Sequence, residues 1–335
     1  MSFYAAITTI QPPTACMRDL AARLAECGGT LVVAGDTKGP DAYVLRNSRF
    51  VSIADQNQSG FRLADTLPTK HYARKNIAYL EAIRLGATCL YETDDDNRPI
   101  HDWKVRDEVV TDYRCVIREN QWVNVYQYFS NDVIWPRGLP LKEVRRPAPK
   151  IEVAFVPVRC PIQQGLVNNS PDVDAIWRLT QDRPFDFDPG KLSVLLPPGA
   201  WCPFNTQSTW WWPIAFPLLY IPSYCSFRMC DIWKSFIAQR CLWQLGMGVA
   251  FHAAEVIQDR NEHDLSQDFE SEIPGYLRNQ EIIEILEKCD LMVGEEYIAD
   301  NLYRCYTALV DKAIFPEKEL DLVRRWLADV EMARS

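Results

Sequence analysis

Ala87-Thr88-Cys89-Leu90-Tyr91-Glu92-Thr93-Asp94-Asp95-Asp96 carries an apolar run into three neighbouring carboxylates. A short apolar run bounded by turn-forming residues reads as a buried strand. Three adjacent carboxylates repel one another, so a fold that keeps them together calls for counter-charge. Mg²⁺ or Mn²⁺ shared with a diphosphate meets that need, because these ions take oxygen ligands and bind through one or two carboxylates plus substrate phosphates. A solvated acidic turn is the competing reading, since Asp forms turns in its own right.

Upstream, Tyr4-Ala5-Ala6-Ile7-Thr8 reads as a strand, residues 16–27 as a helix with Met17, Leu20, Ala21 and Leu24 on one face, and Gly28-Gly29 as its stop. Thr30-Leu31-Val32-Val33-Ala34 gives the next strand and ends in Gly35-Asp36-Thr37-Lys38. Residues 74–85 have helical spacing at Ile77, Leu80, Ala82 and Ile83, and Gly86 breaks the helix before the Cys89 strand. Strand, helix, strand, helix, strand predicts an α/β fold with a mainly parallel sheet flanked by helices. In such sheets ligands collect at the carboxyl ends of the strands. Thr8-Thr9, Gly35-Asp36-Thr37-Lys38 and Asp94-Asp95-Asp96 all fall on that edge, which favours one site over three unrelated polar turns. Residues 120–149 show no organisation that the pattern resolves. Residues 279–289, 295–310 and 319–332 read as amphipathic helices, so a C-terminal helical appendage is expected.

The net charge of -9 and pI near 5.1 exclude sequence-independent nucleic-acid binding, which needs clustered Lys and Arg. The 11 cysteines are odd in number and lack C-x-x-C spacing, which points to free thiols in a reducing compartment. The first ten residues lack the charged and apolar regions of a secretory signal, so no export is expected. Residues 192–227 contain no Asp, Glu, Lys or Arg and include Trp210-Trp211-Trp212. Six prolines interrupt that stretch, so no transmembrane segment is expected. A core passage or an aromatic-walled cleft is the expectation, and peripheral contact with a membrane stays open.

Arg74-Lys75 opens a helix, where basic side chains add to the positive end of the dipole and suit a phosphate. Asp172-Val173-Asp174 resembles a metal motif, but helix capping accounts for Asp172. Gln163-Gln164-Gly165 reads as a turn, with a substrate-facing role open. Asp231 heads a helix beside the uncharged aromatic segment, where it acts either as an N-cap or as a general base or acceptor-orienting group. His263 lies in a polar knot and suits a metal; His71 and His101 are secondary candidates.

Taken in order, several blocks resemble the STELLO family of glycosyltransferase-like proteins and, more distantly, the reversibly glycosylated polypeptides that act as UDP-arabinopyranose mutases. The blocks are Val33-Ala34-Gly35-Asp36-Thr37-Lys38, residues 74–83, Asp94-Asp95-Asp96, Gln163-Gln164-Gly165-Leu166-Val167, residues 171–176, Pro203-Phe204-Asn205-Thr206-Gln207, and Asp231-Ile232-Trp233-Lys234 with Ala238-Gln239-Arg240. The resemblance implies a GT-A-type, Rossmann-like fold that binds a UDP-sugar with Mn²⁺ or Mg²⁺ on an Asp-x-Asp motif. It implies a hexosyl- or pentosyltransferase acting on a hydroxyl of a carbohydrate acceptor. It also implies a division into a nucleotide-sugar-binding catalytic domain, 1–265, and a helical extension, 266–335. Carried onto this sequence, Asp96 is the metal ligand with Asp94, and His263 completes the shell. Thr8 and Asp36 face the nucleoside, Arg74 and Lys75 approach the diphosphate, and Lys38, Asp94 and Asp95 join the donor-binding set. Asp231 faces the acceptor as the catalytic group. Plant members carry a membrane anchor and a further domain without counterpart here, so a Golgi location is not carried over; the free thiols and the lack of an export signal make a cytoplasmic location the expectation. A nucleotide-sugar mutase and a non-catalytic GT-A-fold scaffold are the alternatives.

Overall fold

Thr14 opens helix α1 (Ala15–Glu26) by accepting the Met17 N–H on its side chain, and the helix buries Cys16, Met17, Leu20, Ala21 and Leu24 along one face. Gly28, at φ 72°, takes the left-handed turn that ends it. The computed structural model describes residues 2–117, 121–181, 183–260 and 264–335.

The strands on either side of α1, β1 (Phe3–Thr8) and β2 (Thr30–Ala34), pair in parallel. β3 (Ser48–Val51) joins β2 in parallel, and β4 (Cys89–Thr93) joins β1 in parallel. The sequence pattern locates β1, β2 and β4 but not β3, and helix α3 (Lys75–Arg84) crosses between β3 and β4. Helix α2 (Ile53–Gln58) opens on a Ser52–Asp55 capping box.

Beyond β4 the sheet is mixed. β14 (Ser208–Trp211) runs antiparallel to β4 and to β11 (Ile162–Asn168), and β11 runs parallel to β15 (Val249–Gln258). β12 (Ser193–Leu196), β7 (Tyr113–Val116) and β9 (Ile151–Ala154) complete the order, and the short β5 (Asn97–Pro99) pairs with the end of β15. Two small sheets pair β6 (Val109–Val110) with β10 (Val158–Arg159) and β8 (Gln121–Trp122) with β13 (Ala200–Trp201). A parallel Rossmann-like quarter continued by antiparallel strands, with helices on both faces, is a GT-A-like α/β architecture.

One face of the sheet packs on α1, where Phe3, Trp103 and Trp210 share a buried cluster. The other face packs on α3, on α5 (Cys230–Trp243), and on the C-terminal helices α7 (Ile298–Asp311) and α8 (Lys318–Arg334). Trp326 of α8 donates to Pro217 O at 2.8 Å, and Asp329 accepts the Arg62 and Leu63 amides. The C-terminal helices thus share the main core with the sheet.

Of the two expectations for the tryptophan segment, the core passage holds: Trp210 and Trp211 lie on the central strand β14, and all three tryptophans are buried. Two other expectations change. Gln163 and Gln164 lie in strand β11, where they bond to neighbouring carbonyls, so no turn forms there. Helix α6 (Leu265–Glu287) begins well before residue 279, capped by Asp264. Helix α6 runs through Pro274-Gly275, with Gly275 packed close to Met229.

Candidate active site

The carboxyl ends of β1, β2 and β4 open onto a cavity of about 520 Å³. Thr8, Asp36, Lys38, Asp94, Asp95 and Asp96 line it on that side, with Arg137, Asp172, Phe227 and Asp231 opposite. Of the residues expected at a site, Thr8, Asp36, Lys38, Asp94, Asp95, Asp96 and Asp231 come together here.

The triplet sits in the tight turn between β4 and β5, closed by Asn97 N donating to Asp94 O at 3.3 Å. Each carboxylate meets a different fate. Asp94 Oδ1 accepts from Lys75 Nζ at 2.8 Å and from Tyr72 OH at 2.5 Å. Asp95 Oδ2 accepts from the Thr9 hydroxyl, and its backbone carbonyl accepts from Thr14 at 2.6 Å. Asp96 Oδ2 accepts from Gln258 Nε2 at 3.0 Å, whereas Asp96 Oδ1 is buried without a partner. Burial, then the Asp94 and Asp95 charges, push the Asp96 carboxyl up to about 7. An orphaned anionic oxygen in a cavity wall costs more than a satisfied one, so Asp96 calls for a positive ligand.

Among the described residues no group of three or more His, Cys, Asp or Glu side chains is set to hold a metal ion. A hard cation bound through one or two carboxylates and a substrate diphosphate needs no such group, and the Asp96–Asp94 pair fits that mode. His263 lies outside the described residues.

Asp36 lines the cavity, but its oxygens are spent on backbone amides: Oδ1 accepts from Thr37 N at 2.6 Å and Lys70 N at 2.7 Å, and Oδ2 from His71 N at 2.9 Å. It clamps the loop before α3, where Lys70 takes φ 56°. The Thr8 hydroxyl likewise donates to Ala34 O at 2.9 Å. Lys38 and Lys70 stand exposed on the rim. His71 joins the cavity, while His101 is solvent-exposed and pairs with Asp102.

Arg74 is a correction. It is buried away from the cavity, with Nε on Gln56 at 3.0 Å and Nη1 on the Ala64 and Leu67 carbonyls, so it does not approach a diphosphate from this position. Lys75 is also fully buried and acts as an internal counter-charge to Asp94, reaching Tyr72 OH and Thr93 O as well.

Asp231 lies in the first turn of α5, where its Oδ1 accepts from Ile232 N at 3.0 Å, and its two oxygens accept from Arg137 Nη1 at 2.9 Å and Nη2 at 2.8 Å. Arg137 also holds Asp172, through Nε at 2.7 Å and Nη2 at 2.9 Å. Burial raises the Asp231 carboxyl, but Arg137, with Arg228 and Lys234 behind it, outweighs burial and holds it below the usual carboxylate range. Asp172 is therefore an ion-pair partner, and Asp174 is the cap, accepting from Trp177 N at 2.8 Å ahead of α4 (Ala175–Gln181).

Arg137, Tyr72, Gln258 and Phe227 escaped the sequence reading, whereas Thr9 was placed on the site edge with Thr8. Arg137 falls in the unorganised stretch, where Lys142, Arg145 and Arg146 also lie, so its charge alone did not single it out.

Residues 228–334 match the family model described as STELLO glycosyltransferases. "Probable glycosyltransferase STELLO1" of Arabidopsis thaliana is 31% identical over 245 residues, covering 67% of this chain and 32% of the relative. "Probable glycosyltransferase STELLO2" of the same plant is 31% identical over 249 residues, covering 68% and 32%. The chain belongs to the STELLO family. It spans about a third of the length of these STELLO relatives. The family match begins at Arg228, on the Asp231 side of the cavity, and runs through α5–α8. Among the described residues no helix is long and apolar enough to cross a membrane.

Proposed function

We propose that this chain transfers a sugar from a UDP-sugar to an acceptor hydroxyl with the help of a divalent cation. The observation that carries the reading is Asp96 Oδ1, a buried carboxylate oxygen without a partner beside two further carboxylates in the cavity wall. The choice of uridine follows the STELLO resemblance. Asp96, with Asp94, would hold Mn²⁺ or Mg²⁺, which when bound neutralises charge developing on the departing diphosphate.

The chain's own residues do the rest. Lys75 and Tyr72 fix Asp94, and Thr9 fixes Asp95, so the triplet presents its charge in one arrangement. Lys38 and Lys70 supply positive charge at the rim for the phosphates. Asp231 stays ionised and accepts a hydrogen bond from the acceptor hydroxyl, orienting it for attack.

The test is thermal stability with UDP and Mn²⁺ for the wild type and Asp96→Asn. A bound ligand at a hundred times its dissociation constant stabilises by about 2.7 kcal/mol. The wild type is expected to show a Mn²⁺-dependent rise, and the folded variant is expected to lose it, because an amide cannot replace an anionic ligand. A variant that keeps the full response places the cation elsewhere. A wild type that answers to no UDP-sugar leaves the scaffold reading.

A further inference from the structure

Phe227 exposes 57% of its surface at the mouth of the cavity, whose wall residues Arg137, Asp172 and Asp231 bury nearly all of theirs. Its ring meets Tyr72 edge to face, with centroids 5.9 Å apart at 73°. Tyr72 in turn places its hydroxyl on Asp94 Oδ1, so Phe227 lies one ring away from the acidic triplet. On its other side the chain enters α5, which carries Asp231. The cavity thus has two ends joined by Tyr72: the acidic triplet, and an aromatic face beside the Arg137-linked carboxylates.

The charge at the second end selects among ligands. One guanidinium, Arg137, sits between the Asp172 and Asp231 carboxylates. Arg228 also faces the cavity but spends its charge on Glu272, at 2.8 Å, and on Asp268. This leaves carboxylate oxygens that accept hydroxyl hydrogens, and no unpaired cation among the described residues there to welcome an anion. An exposed aromatic face next to hydroxyl acceptors matches the two sides of a sugar ring, one lined by C–H groups and one by hydroxyls.

We infer that Phe227, with Asp172 and Asp231, forms the acceptor subsite, and that it takes a neutral oligosaccharide in preference to an anionic one. The inference rests on the transferase reading of the same cavity. Phe227 stacks on a sugar ring, and Asp231 receives the hydroxyl that attacks. The tryptophans buried in β14 have no part in it.

Saturation-transfer NMR with cellotetraose, mannotetraose and tetragalacturonate tests this on the wild type, Phe227→Ala and Phe227→Trp, with thermal denaturation confirming that each variant is folded. A parallel UDP titration with Mn²⁺ reports the donor end independently. A neutral tetrasaccharide is expected to bind the wild type, to bind Phe227→Ala roughly tenfold more weakly, and to be retained by Phe227→Trp. The inference is overturned if binding survives Phe227→Ala unchanged, if tetragalacturonate binds best, or if neither neutral probe binds. If UDP fails to bind while a neutral probe binds through Phe227, the donor reading falls and the saccharide subsite stands.

Discussion

Arg137 and Asp231 face each other through two parallel hydrogen bonds, at 2.9 and 2.8 Å, although 94 residues separate them in the chain. The same guanidinium holds Asp172, so one buried cation organises two carboxylates of the cavity wall. Two consequences follow from the charge balance. Asp231 is kept ionised and accepts hydrogen bonds more readily than it takes up a proton. Its position is also set by a segment outside the family-matched span.

Replacing Arg137 leaves two buried carboxylates without their counter-charge. Arg137→Leu is expected to cost about 3–5 kcal/mol in urea unfolding. Arg137→Lys keeps the charge but not the planar fork, and should fall between wild type and Arg137→Leu. A lysine variant as unstable as the leucine variant would show that the fork geometry matters more than the charge.

Tyr72 joins the two ends of the cavity, since its hydroxyl contacts Asp94, Lys75 and Thr206 while its ring meets Phe227. Tyr72→Phe removes the hydroxyl and keeps the ring. It is expected to lower stability by about 1–2 kcal/mol and to weaken the Mn²⁺-dependent UDP response, with little change in oligosaccharide binding. Equal losses at both ends would mean that the ring position depends on the hydroxyl.

The strand–helix alternation of residues 4–96 was legible because each element carries its own periodicity and stop signal, as with α1 and Gly28. The acidic triplet was legible because three like charges ending a strand are a local pattern. Other features are set by tertiary partners that no local pattern records. Arg74 and Lys75 are neighbours at one helix start, yet Gln56 takes one and Asp94 the other. The charge-free tryptophan segment left a core passage and a cleft wall both open, because composition does not distinguish a buried central strand from an aromatic surface. Arg137 was missed because its partners, Asp172 and Asp231, are distant in sequence and themselves looked like helix caps.

His71 contributes a pH dependence opposite in sign to that of Asp96, whose raised carboxyl favours the folded state as pH falls. The His71 Nδ1 accepts the Ala73 N–H at 3.0 Å, so the neutral ring keeps its proton on Nε2. Burial, partly opposed by the Asp36 charge, lowers its pKa from 6.5. The unfolded chain then binds more protons than the folded one below that value. Stability from this residue is complete above pH 6.5 and lost as pH falls through the folded pKa. Urea midpoints between neutral pH and pH 5 should fall more steeply for the wild type than for His71→Gln. Parallel profiles would mean that protonated His71 is accommodated in the fold.

Glu92 and Lys234 form a buried pair at 2.7 Å beneath the cavity, where Glu92 also accepts from the Tyr79 hydroxyl and from Trp211 Nε1 at 2.8 Å. Glu92 lies in β4 two residues before Asp94, and Lys234 lies in α5 one turn after Asp231, so the pair ties the donor end to the acceptor wall. Lys234→Met removes the cation and strands a carboxylate in the core, with an expected cost of about 3–5 kcal/mol. Glu92→Leu combined with Lys234→Met removes both charges and should recover at least half of that loss, because an apolar pair of similar volume avoids the desolvation cost. The tyrosine and the tryptophan then lack their acceptor, which keeps the recovery incomplete. A double-mutant cycle in urea reads the coupling directly. Additive losses would show that Glu92 protonates when Lys234 is gone, and that the two ends of the cavity are held together by packing alone.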